Sequence, residues 1–228
     1  MLPLRDDNPS RTTPVVTRAI IALNVLAFVY ELSLGPELRS LFGVGALIPA
    51  RLTEALAGGG AALPALATIG SSMFLHAGWL HLIGNMWYLW IFGDNVEDHF
   101  GHAGFALFYV AGGVASAALH VALNPASPVP TVGASGAIAA VLGAYALLYP
   151  RARVITLVPI FFFIQIVALP ALLVLGFWFV MQFFSGALSI GGGGGGVAWW
   201  AHVGGFVFGI AAAALVRPRP RSRAWVSD

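Results

Sequence analysis

Six stretches of the chain are apolar enough to cross a membrane, and this feature constrains the fold more than any other. A helical span takes roughly 17 to 25 residues. The stretches lie near residues 19–34, 79–91, 103–123, 133–149, 170–190 and 197–216, and the first two need their flanks to reach full length. Backbone groups in lipid must be paired within their own segment, which favours helices. We therefore predict an all-α polytopic membrane protein, a six-transmembrane-helix bundle.

The composition supports a single membrane-embedded unit. Of the 228 residues, 59% are hydrophobic and 9% are charged, whereas soluble domains average about 25% charged residues. We expect a cytoplasmic N-terminal tail at 1–18, a six-helix membrane domain at 19–216 and a basic cytoplasmic C-terminal tail at 217–228. The absence of cysteine excludes thiolate chemistry and disulfides. The small net charge of +2, without a basic stripe, argues against nucleic acid as a partner.

The arginines predict the orientation, because basic residues favour the cytoplasmic side of a membrane. All eleven basic residues are arginine, and nine fall on one side of a six-span arrangement. These nine are Arg5, Arg11, Arg18, Arg151, Arg153, Arg217, Arg219, Arg221 and Arg223, against Arg39 and Arg51 on the other side. Both termini are therefore expected in the cytoplasm.

Three connecting segments have compositions of their own. The long loop between the first two apolar stretches, residues 35–78, is too apolar for a solvated linker and predicts short amphipathic pieces in the outer interface. Residues 154–169 are rich in aromatic and β-branched types and end at Pro170, which predicts an interfacial hairpin or a buried strand. The six glycines at 191–196 predict a flexible connector on the outer side.

Polar side chains from three apolar stretches fall at one shallow depth. The second, fourth and sixth stretches all run inward from the outer face. His81 and Asn85 lie near the start of the second, Ser135 near the start of the fourth and His202 near the start of the sixth. Polar groups inside a membrane are costly and mark functional sites.

Serine and histidine together indicate acyl transfer, because a serine hydroxyl becomes a nucleophile when a base takes its proton. Ser135 stands between glycines in Gly133-Ala134-Ser135-Gly136, and His202 is the candidate base. Small residues let two helices approach closely. Such faces occur on both helices, formed by Gly136, Ala140 and Gly143 and by Gly205 and Gly209. We identify no acidic residue at this depth, so a dyad is favoured over a triad.

An oxyanion formed in acyl transfer needs preorganised donors. The backbone amide of Ser135 lies at a helix N-terminus, where free N–H groups favour negative charge. His81 and Asn85 are four residues apart and share one helix face. His76 precedes that helix and is expected to brace this group.

Structural explanations exist for each residue taken alone. The glycine-serine motif and His202 could each serve packing, and His81 with Asn85 could join helices. Their coincidence at one depth favours a site. His99, His102 and His120 lie at segment ends and are expected in the interface. The chain has no His-Glu-x-x-His motif, and Asp94 and Asp98 lie at one boundary, which excludes the usual zinc and aspartyl chemistries.

These residues resemble the rhomboid family of intramembrane serine proteases. The matching pieces are Met73 to Leu82 continuing to Asn85-Met86, then Gly133 to Gly136, then Ala201 to Gly205 with Gly209, and the resemblance covers roughly residues 15 to 216. It implies a six-helix bundle with Ser135 as nucleophile, His202 as general base and acid, and an oxyanion site of His81, Asn85 and the Ser135 amide beside Gly133. It implies no metal or cofactor.

The chain departs from the family's pattern at two places. Many members carry a Trp-Arg pair in the first long loop, and none occurs in residues 35–78. Many also have an aromatic residue four positions after the nucleophile, where this chain has Ala139.

The resemblance predicts cleavage of transmembrane-helix substrates near the outer face, with a small residue before the scissile bond. The chain is expected in a bacterial cytoplasmic membrane. Two other functions remain open: a catalytically silent member that binds transmembrane helices, and a small transporter. The shared shallow depth of the polar groups fits a one-sided cavity better than a conduit.

Overall fold

The computed structural model describes residues 1–160, 163–189 and 197–216. The predicted glycine connector at 191–196 and the basic tail at 217–228 lie outside these residues. The helices are α1 (Val15–Ser33), α2 (Leu38–Gly45), α3 (Pro49–Leu56), α4 (Ala62–Ser71), α5 (Trp79–Phe100), α6 (His102–Leu123), α7 (Ser135–Leu148), α8 (Ala171–Ser189) and α9 (Trp199–Leu215). The strands are β1 (Leu2–Asp6), β2 (Arg153–Ile160) and β3 (Phe163–Pro170).

Among the described residues, three helices, α1, α6 and α8, are long and apolar enough to cross a membrane. A fourth span results if α4, with the 3-10 turn Ser72–Phe74, is counted together with α5, although the pair is bent by 81°. The remaining apolar helices are shorter: α7 has 14 residues and α9 has 17, about 21 and 25 Å at 1.5 Å per residue. The part of the chain that the structure describes is therefore mostly helical, with three or four candidate spans by length and composition.

The loop between α1 and α5 consists largely of short helices, as the sequence predicts. The 3-10 turn Gly35–Glu37 leads into α2, α3 and α4. A backbone bridge joins this loop to the segment before α7, since Leu47 N donates to Thr131 O at 3.0 Å and Thr131 N to Leu47 O at 2.7 Å. Leu47, Leu52 and Ala65 are buried in a small core of their own with Ala117 of α6.

The prediction of an all-α chain is wrong, because three strands form an antiparallel sheet in the order β1-β2-β3. The hairpin of β2 and β3 confirms the sequence prediction for 154–169, where β-branched residues favour a strand. The unpredicted strand is β1, which pairs Leu2 with Leu157 and Asp6 with Val154. It is also fixed by Trp87 Nε1, which donates to Pro3 O at 2.7 Å.

Carboxylates of α5 cap the beginning of α1. Glu97 accepts hydrogen bonds from Val16 N at 2.9 Å, from Thr17 N at 2.8 Å and from the Thr17 hydroxyl at 2.7 Å. Asp98 accepts from Thr12 N at 2.9 Å. The first N–H groups of a helix lack intrahelical partners and attract negative charge, so these bonds join α1 to α5 at one end of the bundle.

Helix α7 lies at the centre of the fold, where it packs against α5, α6, α8 and α9. Every residue from 136 to 146 is buried. A helix that is buried on all sides has no polar face, which agrees with its sequence of alanine, glycine and large apolar residues. The candidate nucleophile Ser135 is therefore the first residue of a helix that its neighbours enclose on all sides.

Candidate active site

Helices α7 and α9 touch backbone to backbone, which confirms the predicted small-residue faces. A Cβ added to Gly205 would lie 2.0 Å from Gly136 O, and one added to Gly209 would lie 1.9 Å from Ala140 O. On the other helix, a Cβ on Gly143 would lie 2.1 Å from a backbone oxygen of α9. No larger side chain fits at these three contacts, so the glycines determine how close the two helices come.

This approach brings Ser135 and His202 together. Ser135 is the first residue of α7, and His202 lies in the first turn of α9. His202 Nε2 is 2.8 Å from Ser135 Oγ, a hydrogen-bond distance. Both side chains are half-buried and line the same cavity, so the hydroxyl is open to an incoming group. This is the geometry in which an imidazole takes a proton from a serine.

Two residues of α8 hold the other side of the His202 ring, and sequence analysis missed both. Gln182 Oε1 lies 2.6 Å from His202 Nδ1. The Trp178 ring centroid is 5.8 Å from that of His202. Gln182 is a lone amide within an aromatic and apolar helix. This could have indicated its role from the sequence, because buried polar groups need partners.

The position of Ala139 has no room for a large side chain. Ala139 is fully buried, and a Cβ on Gly205 would lie 3.2 Å from its methyl group. An aromatic contact to His202 comes from α8 instead, through Trp178.

The segment before the nucleophile lies directly against His81 and Asn85. Gly133 has φ +120°, a conformation that favours glycine. A Cβ there would lie 2.7 Å from His81 Nε2 and 3.6 Å from Asn85 Nδ2. His81 Nδ1 accepts a hydrogen bond from Ala77 N at 3.3 Å, so the neutral ring carries its proton on Nε2, facing this segment.

His76 packs against His81 and is itself held by a residue that sequence analysis missed. The two rings meet edge to face, with centroids 5.2 Å apart. His76 N donates to Glu31 of α1 at 3.1 Å. Glu31 is 2% exposed, so the expectation of no acidic residue near this depth is wrong. Its carboxylate binds a backbone amide and not His202. The sequence feature that could have revealed Glu31 is a single carboxylate near the end of an apolar stretch.

A cavity of about 920 Å³ opens beside these residues. Its lining combines the polar groups already described with apolar side chains of α5 and α8, such as Leu80, Tyr88 and Trp178. His120, expected in the interface, also lines this cavity, and its Nε2 lies 3.1 Å from Thr131 Oγ1.

The other two histidines expected in the interface lie away from the cavity. His99 is buried in α5, and His102 Nδ1 contacts the carboxylate of Glu97.

Among residues 1–160, 163–189 and 197–216, no three His, Asp or Glu side chains are grouped closely enough to hold a metal ion. What the site offers is proton transfer between Ser135 and His202, with hydrogen-bond donors beside the nucleophile.

Comparison with known proteins identifies relatives of this chain. The model of the Rhomboid domain family matches residues 64–219. Presenilin-associated rhomboid-like protein A, mitochondrial, of Danio rerio is 34% identical over 139 residues, which are 58% of this chain and 36% of that protein. Rhomboid-like protein 11, chloroplastic, of Arabidopsis thaliana is 39% identical over 75 residues, 33% of this chain and 26% of that protein.

A bacterial relative completes the comparison. Rhomboid protease GluP of Bacillus subtilis (strain 168) is 43% identical over 70 residues, 31% of this chain and 13% of that protein. The chain thus matches well under half the length of each of these relatives. The names of the first two relatives refer to a mitochondrion and a chloroplast, and the third comes from a bacterium, so the comparisons do not favour a bacterial membrane. The family match covers more than half of the chain, and the chain therefore belongs to the rhomboid family of multi-pass membrane proteins.

Proposed function

We propose that the chain is an intramembrane serine endopeptidase that cleaves transmembrane helices of other proteins with a Ser135–His202 dyad. The observation that carries the proposal is the 2.8 Å contact between Ser135 Oγ and His202 Nε2 inside an open cavity. A relative named as a rhomboid protease supports the reaction class.

The first step is attack on the scissile carbonyl. His202 Nε2 takes the hydroxyl proton as Ser135 Oγ forms a bond to the carbonyl carbon. The carbonyl π electrons move to oxygen and give a tetrahedral oxyanion. The imidazole becomes imidazolium and stays beside Ser135 Oγ, 2.8 Å away in the resting geometry.

The oxyanion would be stabilised by donors around Gly133. Asn85 Nδ2 is buried and has no hydrogen-bond partner within the described residues, which is costly unless a ligand completes it. His81 Nε2 and the free N–H at the start of α7 are the other candidate donors. Three such donors fit the requirement for preorganised hydrogen bonds at the developing charge.

Collapse of the intermediate completes the acylation. The imidazolium of His202 donates its Nε2 proton to the leaving amine nitrogen while the C–N bond breaks, leaving an acyl group on Ser135. A water molecule then gives a proton to His202 and attacks the ester carbonyl, and collapse of this second intermediate returns the proton to Ser135 Oγ. The net reaction is hydrolysis of one peptide bond.

We further propose a six-span arrangement in the membrane, formed by α1, α5, α6, α7, α8 and α9. The short helices α7 and α9 can serve as spans because they are enclosed by longer ones, and local thinning of the bilayer accommodates them at modest cost. The arginine distribution supports cytoplasmic termini. Under this arrangement the cavity opens at the outer face.

A substrate helix would reach the cavity from the lipid and unwind locally, because helical peptide bonds are shielded by their own hydrogen bonds. Residues that weaken helices should therefore mark substrates. The family resemblance adds a small residue before the scissile bond. The competing function, a silent member that only binds helices, is disfavoured by a serine and a histidine at bonding distance.

Cleavage in a membrane tests the proposal. The protein is reconstituted in liposomes with a single-pass substrate whose transmembrane helix contains a small residue and a glycine near its outer end. We expect wild type to cleave it, and Ser135→Ala and His202→Ala to bind it without cleaving. Cleavage by either variant at the wild-type rate would exclude the dyad, and binding without cleavage by wild type would favour the silent helix-binding function.

A further inference from the structure

The Nδ1 side of the His202 ring contacts a neutral amide. His202 Nδ1 lies 2.6 Å from Gln182 Oε1, and Gln182 is 9% exposed. The opposite ring nitrogen faces Ser135 Oγ at 2.8 Å. The imidazole is therefore hydrogen-bonded on both nitrogens, between α8 and α7.

This arrangement selects one tautomer of His202. An amide oxygen only accepts hydrogen bonds, so the ring nitrogen facing Gln182 must carry the proton. A neutral imidazole has one N–H, which leaves a lone pair on Nε2. That lone pair faces the hydroxyl of Ser135 and is the group required to take its proton.

No carboxylate of the described residues hydrogen-bonds to His202. The imidazoles of His81 and His120 line the same cavity as His202. The buried carboxylate of Glu31 binds the His76 amide instead. The place that an aspartate holds in a serine triad is thus taken by an uncharged group.

We propose that Gln182 is a positioning residue for catalysis, which orients His202 and fixes its proton on Nδ1 without adding a negative charge. The proposal rests on the proposed function of the dyad. Trp178 assists by packing against the same ring, with the two ring centroids 5.8 Å apart. Together they do from α8 what an aromatic residue at position 139 cannot do here, because Ala139 is packed against α9.

The tautomer itself is measured by nitrogen NMR on detergent-solubilised protein labelled with ¹⁵N-histidine, with His202→Ala to assign the signals. We expect wild-type His202 to carry its proton on Nδ1, and Gln182→Met, which keeps the volume but lacks the acceptor, to lose this preference. The exposed Gln165 of β3 offers a matched control, and Gln165→Ala should leave the spectrum unchanged. An Nε2–H tautomer in wild type, or an unchanged tautomer in Gln182→Met, would overturn the proposal.

Kinetics on the same variants separate positioning from simple packing. We expect Gln182→Met to lower kcat by about 10²-fold with little change in KM, because general base catalysis contributes on this order. In Gln182→Glu, the carboxylate stabilises the imidazolium and should move the acidic limb of the pH–rate profile up by about 1 pH unit or more.

An acidic limb that does not move in Gln182→Glu would reduce Gln182 to a packing residue. If wild type shows the Nδ1–H tautomer yet cleaves nothing, the proposed protease function fails while the hydrogen bond stands. If wild type cleaves and Gln182→Met matches it, the positioning role alone fails.

Discussion

Gly205→Ala should separate the serine from its base without touching either. A Cβ at this position would lie 2.0 Å from Gly136 O, whereas ordinary contacts begin near 3.4 Å. The two helices must therefore move apart by about 1.4 Å at a point one residue after Ser135 and one turn after His202. Backbone atoms form this contact, so a change of side-chain rotamer cannot relieve it.

The displacement is large compared with the hydrogen bond it affects. A separation of this size along the Oγ–Nε2 direction would lengthen the 2.8 Å contact to about 4.2 Å, beyond hydrogen-bond range. We expect cleavage to fall by about 10²-fold or more, because the base no longer reaches the hydroxyl. Overpacking of this kind also costs about 1–3 kcal/mol of stability.

The assay compares cleavage in liposomes with thermal unfolding in detergent. Gly176→Ala on α8 is the matched control, because a Cβ there meets nothing within 4 Å, and it should keep wild-type activity and stability. Wild-type cleavage together with an unchanged melting temperature in Gly205→Ala would refute the backbone contact between α7 and α9.

Three further predictions concern the surroundings of the site. Gly133→Ala should lower the free energy of unfolding by about 1–3 kcal/mol and remove most of the activity, because the position combines φ +120° with an added Cβ 2.7 Å from His81. The control Gly58→Ala, with φ +90° but open space around it, should keep its activity. Asn85→Ala should lower kcat by about 10²–10³-fold with little effect on melting temperature, and an unchanged kcat would remove it from the oxyanion site. Burial raises the pKa of Asp6 to about 6, which means that the folded protein favours the protonated carboxyl. The stabilisation from this protonation is complete below the ordinary pKa of 3.8 and is lost as pH rises through about 6. The difference in melting temperature between wild type and Asp6→Asn should therefore change across this range, and a constant difference from about pH 4 to pH 8 would contradict this.

Local patterns predicted the helices and the meeting of Ser135 with His202. Long apolar stretches show where helices lie, and the glycine faces show which two of them touch. The sheet was only half predictable. The hairpin of β2 and β3 is a local feature, whereas β1 is five residues long and pairs with a strand about 150 residues away. Nothing within Leu2–Asp6 specifies such a partner.

The residues around the dyad illustrate the same limit. Gln182 is the one amide of α8 and Glu31 the one carboxylate of α1. Their partners depend on how each helix is rotated in the bundle. Hydrophobic periodicity defines that rotation poorly when a helix is apolar on nearly all sides. The contact of His120 with Thr131 could not be predicted either, because closeness to the end of a segment does not reveal which way a side chain points.

Covalent labelling of the serine tests the central claim most directly. Purified protein is treated with a fluorescent fluorophosphonate beside Ser135→Ala and His202→Ala, and the modified residue is identified by mass spectrometry. We expect labelling of wild type at Ser135 and of neither variant. Folded wild-type protein that does not label, or labelling of His202→Ala at the wild-type rate, would contradict an activated Ser135–His202 dyad.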